Sequence, residues 1–137
     1  MIDAISSGLG DLQLMPTHRD LKLDHLFLDG ETITIIDFDS FAAADPVIDP
    51  ATLLAQLVTM SYGTSIPYGR IRSAGRAFVE EYFAHVPMSW RSRLKLQYAG
   101  AALKGSVSFF RHQEPEWPEK MTALVEEASS ALAGRIF

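Results

Sequence analysis

The second half of the chain has apolar residues at helical spacing. After Pro50, leucine and valine recur three or four positions apart, and aromatic residues follow the same spacing between Pro67 and Val86. Such a stripe is typical of a helix that packs one face on a core. Asp49 and Pro50 suit the N-cap and the first position of a helix. The pattern predicts four helices: one from Asp49–Pro50, one over Pro67–Val86, one from a Ser89 cap through Phe109, and one over Met121–Ala133 after breaks at Pro115 and Pro118. For the last helix, the pattern predicts that four residues face the core: Leu124, Val125, Ala128 and Leu132.

The first half carries shorter apolar runs separated by turn residues. Leu26–Leu28 is followed by Asp29–Gly30 and then by the β-branched run Glu31–Ile36. Asp-Gly between two apolar runs is a strong signal for a β-hairpin. Residues 41–44 are small and are predicted to form a loop, and residues 1–10 carry the weak pattern of a helix end.

These elements predict an α+β fold that is mostly helical, with a β-hairpin followed by about four helices. A chain of 137 residues has room for one ordinary domain. We therefore expect a single domain over residues 1–137, with the hairpin and its flanking loops in residues 1–50 and a helical part in residues 51–137.

Composition excludes several classes of function. The chain has no cysteine, which rules out disulfides, thiolate catalysis and cysteine-ligated metals. Its formal charge of -5 gives no reason to expect binding to nucleic acid or to acidic membranes. The sequence lacks both an apolar run of the ~20 residues that cross a bilayer and a signal peptide. A cytoplasmic location is the expectation that follows.

Acidic residues are concentrated around the predicted hairpin. Eight carboxylates lie between Asp20 and Asp49, opposed only by Lys22. A solvated acidic face is the simpler explanation from charge alone. However, a hairpin returns the chain, so Asp20 and Asp37 are expected at one end of it, with His25 close by. Two carboxylates and an imidazole suit a site where one carboxylate accepts a hydroxyl proton and the other holds Mg²⁺ against phosphate.

The order of these residues resembles a known family. The run His18–His25 is similar to the protein-kinase catalytic loop H-R-D-L-x-x-x-N, and Asp37–Asp39 is similar to D-F-G. With the stretch Ala44–Asp49, residues 18–49 resemble the aminoglycoside phosphotransferase family, whose kinase-like members phosphorylate small hydroxylated molecules. The helical remainder is compatible with the C-terminal lobe of that family but is less specific.

The resemblance implies a role for each residue in the motif. Asp20 would be the catalytic base, Lys22 would contact the transferred phosphate, and Asp37 would hold the Mg²⁺ that bridges the phosphates of ATP. The acceptor would be a hydroxyl of a sugar, an aminoglycoside or an amino alcohol.

Two positions depart from the family pattern, and two others would support the loop. His25 stands where the family has a metal-binding asparagine, and imidazole is a poorer ligand for Mg²⁺ than an amide oxygen. Asp39 replaces the glycine of D-F-G and would add another carboxylate for the metal. His18 and Asp49 would brace the loop, with Asp49 accepting hydrogen bonds from the backbone near His18 and Arg19.

The nucleotide-binding half of such an enzyme is not evident in the sequence. Only seventeen residues precede His18, and they show neither a strand-rich N-terminal lobe nor a glycine-rich phosphate loop. We therefore expect a C-terminal lobe that alone binds ATP and Mg²⁺ weakly and transfers phosphate poorly or not at all. Its exposed apolar surface would favour a homodimer or a separate chain that supplies the missing lobe. A truncated reading frame before Met1 and a non-catalytic binding or assembly module are the alternatives.

Overall fold

The structure, a computed structural model, describes residues 13–137. It is α+β and mostly helical, with small antiparallel strand pairs before the helices, as the sequence predicts. The elements in chain order are β1 Met15–Thr17, β2 Leu26–Asp29, β3 Thr32–Ile35, β4 Ala42–Ala44, α1 Ile48–Met60, α2 Tyr68–His85, α3 Arg91–Arg111 and α4 Trp117–Leu132. Short 3-10 turns occupy Leu23–His25, Phe38–Ser40 and Met88–Trp90. The helix end that the sequence suggests for residues 1–10 lies outside the described residues.

The predicted hairpin is confirmed. Strands β2 and β3 are antiparallel, and their register pairs Leu26 with Ile35 and Asp29 with Thr32. Gly30 takes the left-handed backbone conformation in the turn, with φ of 58°, which glycine adopts without the steric cost of a Cβ.

A second strand pair was not predicted. Residues 42–44 form β4, which pairs antiparallel with β1 and places Met15 opposite Ala44. The Thr17 hydroxyl also donates to the Ala42 carbonyl at 3.0 Å. The prediction of a loop over residues 41–44 was therefore wrong for Ala42–Ala44. Three alanines carry no strand signal, because their partner lies more than twenty residues away in the chain.

The helices form the hydrophobic core. Helix α3 makes its most extensive contacts with α4 and α1, while α2 packs against α1. Tyr98 of α3, Leu54 of α1 and Leu124 of α4 are fully buried between these layers. The stripe predicted for α4 is right at Leu124 and Ala128 but wrong at Val125, which is exposed; Ala131 is buried in addition.

The first helix begins earlier than the sequence suggests. Helix α1 starts at Ile48 with Val47 in the N-cap position, so the prediction that Asp49 caps it was wrong. The Asp45 carbonyl accepts the Ile48 N–H in a turn just before the helix. Asp49 thus lies in the first turn, and its carboxylate is free to bind a different segment.

The starts of α3 and α4 also differ from prediction. Ser89 lies inside a 3-10 turn, and α3 begins only at Arg91, with Trp90 as its N-cap. Helix α4 begins at Trp117 and includes Pro118, which was expected to interrupt the chain. Proline is tolerated in the first turn because its missing N–H has no partner there.

The hairpin is not covered by the rest of the described chain. Leu28 is 76% exposed, and Phe27 and Ile33 are also more than half exposed. None of the helices in residues 13–137 combines the length and the apolar character needed to cross a membrane.

Candidate active site

The loop before the hairpin is fixed by hydrogen bonds to α1. The carboxylate of Asp49 accepts the N–H of His18 at 2.7 Å through one oxygen and the N–H of Arg19 at 2.7 Å through the other. Farther along, the N–H of Leu23 donates to the Gln56 side-chain oxygen at 2.9 Å. Two polar side chains of one rigid helix therefore hold both ends of the segment that contains Asp20.

His18 joins this loop to the segment after the hairpin. Its buried ring places Nε2 2.8 Å from the Ile36 carbonyl. A carbonyl only accepts, so this contact assigns the proton to Nε2. Phe38 packs on the other side, with ring centroids 4.9 Å apart.

Two residues of the site have backbone conformations that L-residues rarely adopt. Arg19 has φ of 67° and Asp37 has φ of 64°. The left-handed region is unfavourable for a long side chain such as arginine, by roughly 1–2 kcal/mol. Asp49 offsets that cost at Arg19 by accepting its N–H. The unusual conformations lie directly before Asp20 and at Asp37 itself, which are the two carboxylates that the motif singles out.

Asp20 lies between two lysines. The Lys22 ammonium donates to one carboxylate oxygen at 2.5 Å, and the Lys104 ammonium of α3 lies 4.0 Å from the other. The Asp20 side chain is 28% exposed. It is therefore held in place by charge while remaining accessible to a small molecule.

Asp37 is oriented by His25. The hairpin brings the two together, since the Ile36 N–H donates to the His25 carbonyl at 3.1 Å, and His25 Nε2 lies 3.2 Å from an oxygen of Asp37. His25 is buried, and among the described residues its Nδ1 has no hydrogen-bond partner. A carboxylate only accepts, so this contact assigns a proton to Nε2. His25 thus points Asp37 outward, and it would have to give up this contact to bind a metal directly.

Asp20 and Asp37 are both anchored beside His18. Asp20 follows His18 by two residues, which span at most about 7 Å of chain. Asp37 directly follows Ile36, whose carbonyl contacts the His18 ring. The hairpin therefore brings the two segments that carry these aspartates to the same end of the molecule.

The geometry fits magnesium that arrives with phosphates rather than a preformed cage. Within residues 13–137 no three His, Asp or Glu side chains converge on a point where they could hold a metal. Asp39 lies in the exposed 3-10 turn after Asp37. Mg²⁺ commonly binds through one or two carboxylates together with substrate phosphates. Asp37 suits that mode, because its side chain is 46% exposed and His25 contacts one of its two oxygens.

A cavity of about 470 Å³ opens beside Asp20. It lies between one face of α1 and one face of α3, and the loop with Arg19, Asp20 and Lys22 forms one of its walls. Its remaining lining residues are Ile48, Thr52, Ala55, Gln56 and Thr59 of α1, and Gln97, Gly100, Ala101, Lys104, Gly105, Ser108 and Arg111 of α3, followed by His112.

Sequence reasoning missed the contribution of α3 to this cavity. Lys104 and Arg111 are seven residues apart and share a helix face, and that spacing was the one available signal. His112, just after α3, is exposed and also lines the cavity.

A buried ion pair fastens the end of the motif to α3. Asp45 is buried, its carboxylate accepts the Val47 N–H at 3.3 Å as in a turn, and the Arg93 guanidinium lies 3.3 Å away. Gln97 donates to the same carboxylate at 3.2 Å. Asp45 therefore both stabilises a local turn and forms a long-range bond to Arg93.

Comparison with known protein families matches residues 3–93 to the phosphotransferase enzyme family (APH), which is more than half of the chain. The chain belongs to the phosphotransferase enzyme family. The match spans the whole motif from His18 to Asp49 and extends through α2. Searches of curated proteins and of solved structures found no match to this chain.

Proposed function

We propose that this phosphotransferase-like domain is the C-terminal lobe of an ATP-dependent kinase of small hydroxylated molecules, and that it activates the acceptor. One observation carries the proposal. Asp20 faces a cavity of small-molecule size from a loop that Asp49 and His18 hold in place, and Asp37 is anchored beside the same His18. A base next to a cavity and a carboxylate for a metal–phosphate complex are the two groups that phosphoryl transfer requires.

The chemistry at Asp20 is proton acceptance. An acceptor hydroxyl in the cavity donates its proton to the Asp20 carboxylate as its oxygen forms a bond to the γ-phosphorus of ATP. The bond between that phosphorus and the β,γ-bridging oxygen breaks, and ADP leaves. Lys22, which pairs with Asp20, would contact the transferred phosphate.

Asp37 is the residue best suited to Mg²⁺. The ion supplies neutralisation of charge on the phosphates. In this arrangement His25 acts as a positioning residue, since its Nε2–H group fixes the carboxylate that faces the solvent. Asp39 is a candidate for a second carboxylate contact.

The chain alone is expected to be a poor catalyst. The described residues contain no strand-rich lobe that would clamp adenine and cover the phosphates, and positioning supplies most of the catalysis in phosphoryl transfer. A second chain, or a second copy of this one, that covers the exposed hairpin would improve nucleotide binding.

Calorimetry with a non-hydrolysable ATP analogue and Mg²⁺ tests the proposal. We expect weak, metal-dependent binding to the 137-residue chain, and Asp37→Asn should weaken it at least tenfold, since one charged ligand is worth about that much. The matched control Asp29→Asn removes an exposed carboxylate at the far end of the hairpin and should not change the affinity.

His25→Asn distinguishes two roles for that residue. Tighter metal-dependent binding would indicate that position 25 binds the metal directly, whereas weaker binding would indicate that His25 positions Asp37. Equal affinities for the wild type and Asp37→Asn would contradict the proposal.

A non-catalytic assembly module is the second candidate function. The exposed apolar side chains of the hairpin favour it, since contiguous apolar surface commonly marks an interaction site. Self-association in light scattering without any nucleotide binding in the calorimeter would support this function instead.

A further inference from the structure

The cavity beside Asp20 is positively charged, although the chain as a whole is acidic. Four lysine or arginine residues line it: Arg19, Lys22, Lys104 and Arg111. Asp20 is its one carboxylate, whereas the chain carries 17 acidic and 12 basic residues. A cavity that is basic in an acidic protein attracts anions and repels cations.

The positive charges extend along the cavity away from Asp20. Lys104 lies 4.0 Å from Asp20, and Arg111 follows seven residues later on the same helix. Seven residues of α-helix rise about 10 Å. Arg111 therefore lies about two helical turns from Lys104, the α3 residue that contacts Asp20, and it lines the same cavity.

Small residues keep the space between these two points open. A Cβ built on Gly100 would meet nothing within 4 Å, so packing against neighbouring elements does not require glycine there. Glycine is unfavourable inside a helix, yet at position 100 it widens the cavity. On the opposite wall, Ala55 and the threonines of α1 are also small.

The cavity does not include the residues expected to hold the metal. His25, Asp37 and Asp39 are not among its lining residues. Lys22 is assigned to the transferred phosphate, so the charges left for the acceptor are those of Arg19 and of Lys104 and Arg111 on α3.

We propose that the acceptor is a hydroxylated small molecule that carries an anionic group, a carboxylate or a phosphate, and not a polycationic aminoglycoside. Its hydroxyl lies at Asp20 and its anionic group at Arg111, where a guanidinium binds either anion with two parallel hydrogen bonds. The assignment of the hydroxyl to Asp20 rests on the proposed function, but the charge preference of the cavity does not.

Titrations followed by amide NMR, without nucleotide, test this preference. The probes are glucose and glucose 6-phosphate, which differ by one phosphate, with gluconate as a carboxylate and kanamycin as a polycationic aminoglycoside. We expect the amides of Gly100 and Gly105 to shift with an anionic probe, and an affinity for it about tenfold above that for glucose, the usual effect of one charge-assisted contact. The two anionic probes distinguish phosphate from carboxylate as the preferred group.

Arg111→Gln should remove most of that tenfold preference. The matched control is Arg76→Gln, which removes an exposed arginine of α2 outside the cavity and should leave the titration unchanged. Tighter binding of kanamycin than of either anion, equal affinity for glucose and its phosphate, or no shift of the cavity amides with any probe would overturn the proposal.

Competition separates this inference from the proposed function. Addition of the ATP analogue with Mg²⁺ should not displace the anionic probe, and displacement would show that the cavity holds nucleotide phosphates, which overturns the inference. Conversely, an anion preference that depends on Arg111, in a chain that binds no nucleotide, would support the anion site while contradicting the kinase function.

Discussion

The helical part of this molecule buries its large apolar side chains, whereas the hairpin leaves its own exposed. Leu54 of α1 has no exposed surface, and Leu124 of α4 has none either. In the hairpin, Leu28 is 76% exposed and Ile33 is more than half exposed. Helices α1, α3 and α4 cover one another, whereas a two-stranded hairpin has no second layer of its own. Burial of apolar surface therefore stabilises the helices and leaves the hairpin to be held in other ways.

Polar contacts hold the segment that carries the candidate chemistry. Asp49 binds the backbone of His18 and Arg19, Gln56 binds that of Leu23, and Arg93 pairs with Asp45. Each of these contacts joins the first part of the chain to α1 or α3. The helices therefore act as a rigid support on which hydrogen bonds position the candidate site, as is common for loops that carry function.

The largest expected difference between the two regions is in stability. Leu54→Ala should lower the free energy of unfolding by about 3 kcal/mol, because it leaves a cavity in a closely packed core. Leu28→Ala, the matched change in the hairpin, should stay within about 0.5 kcal/mol of the wild type. Urea unfolding of both variants measures this contrast. Similar losses in the two variants would show that a contact absent from this chain alone covers the hairpin in solution.

Local patterns predicted the parts of the fold that depend on local physics. The apolar stripe of α1 and α2 and the Asp29–Gly30 turn each specify an element through nearby residues. The order of His18, Asp20, Asp37 and Asp49 likewise indicated the family before any geometry was known.

Features that depend on distant partners could not be predicted in this way. Ala42–Ala44 forms a strand because β1 lies beside it. The contacts of Asp49 with the backbone of His18 and Arg19 were expected from the family resemblance, whereas the local pattern alone placed Asp49 at the N-cap. The cavity wall with Lys104 and Arg111 likewise exists only once α3 packs on α1. No pattern within a short window of sequence contains this information.

A smaller effect is expected where the two regions meet, at Asp49. Asp49→Ala removes both hydrogen bonds to the loop and should raise hydrogen-exchange rates of the His18 and Arg19 amides roughly 30-fold, which corresponds to about 2 kcal/mol for bonds to a charged acceptor. Asp49→Asn keeps one acceptor oxygen, so its exchange rates should lie between those of the wild type and those of Asp49→Ala. Asp29→Ala is the control, since that exposed carboxylate has no part in holding the loop. Unchanged exchange in Asp49→Ala would show that His18 and Ile36 alone fix the loop.

The smallest expected effect concerns the stability of the packed helices and how it depends on pH. The Tyr98 hydroxyl of α3 donates to Glu127 of α4 at 2.7 Å, and Glu127 also binds Arg72 of α2 at 3.0 Å. Burial, then the hydrogen bond to Glu127 and its charge, raise the pKa of Tyr98 far above its usual value of 10.0. An unfolded chain loses this proton above pH 10 while the folded chain keeps it. The stabilisation is therefore complete below pH 10 and is lost progressively as the pH rises further.

Tyr98→Phe tests this coupling between the helices. The variant should cost about 1.5 kcal/mol at neutral pH, the lower end of the range for one hydrogen bond to a charged group. Above pH 10 its unfolding free energy should fall less steeply than that of the wild type, because phenylalanine has no proton to lose. Urea unfolding at several pH values from 8 to 11 measures both effects. The control is Tyr62→Phe. Burial also raises the pKa of Tyr62, but that side chain is only partly buried, so this substitution should change the alkaline slope less than Tyr98→Phe does. Identical alkaline slopes for the wild type and Tyr98→Phe would mean that this hydrogen bond does not contribute to the cohesion of the helices.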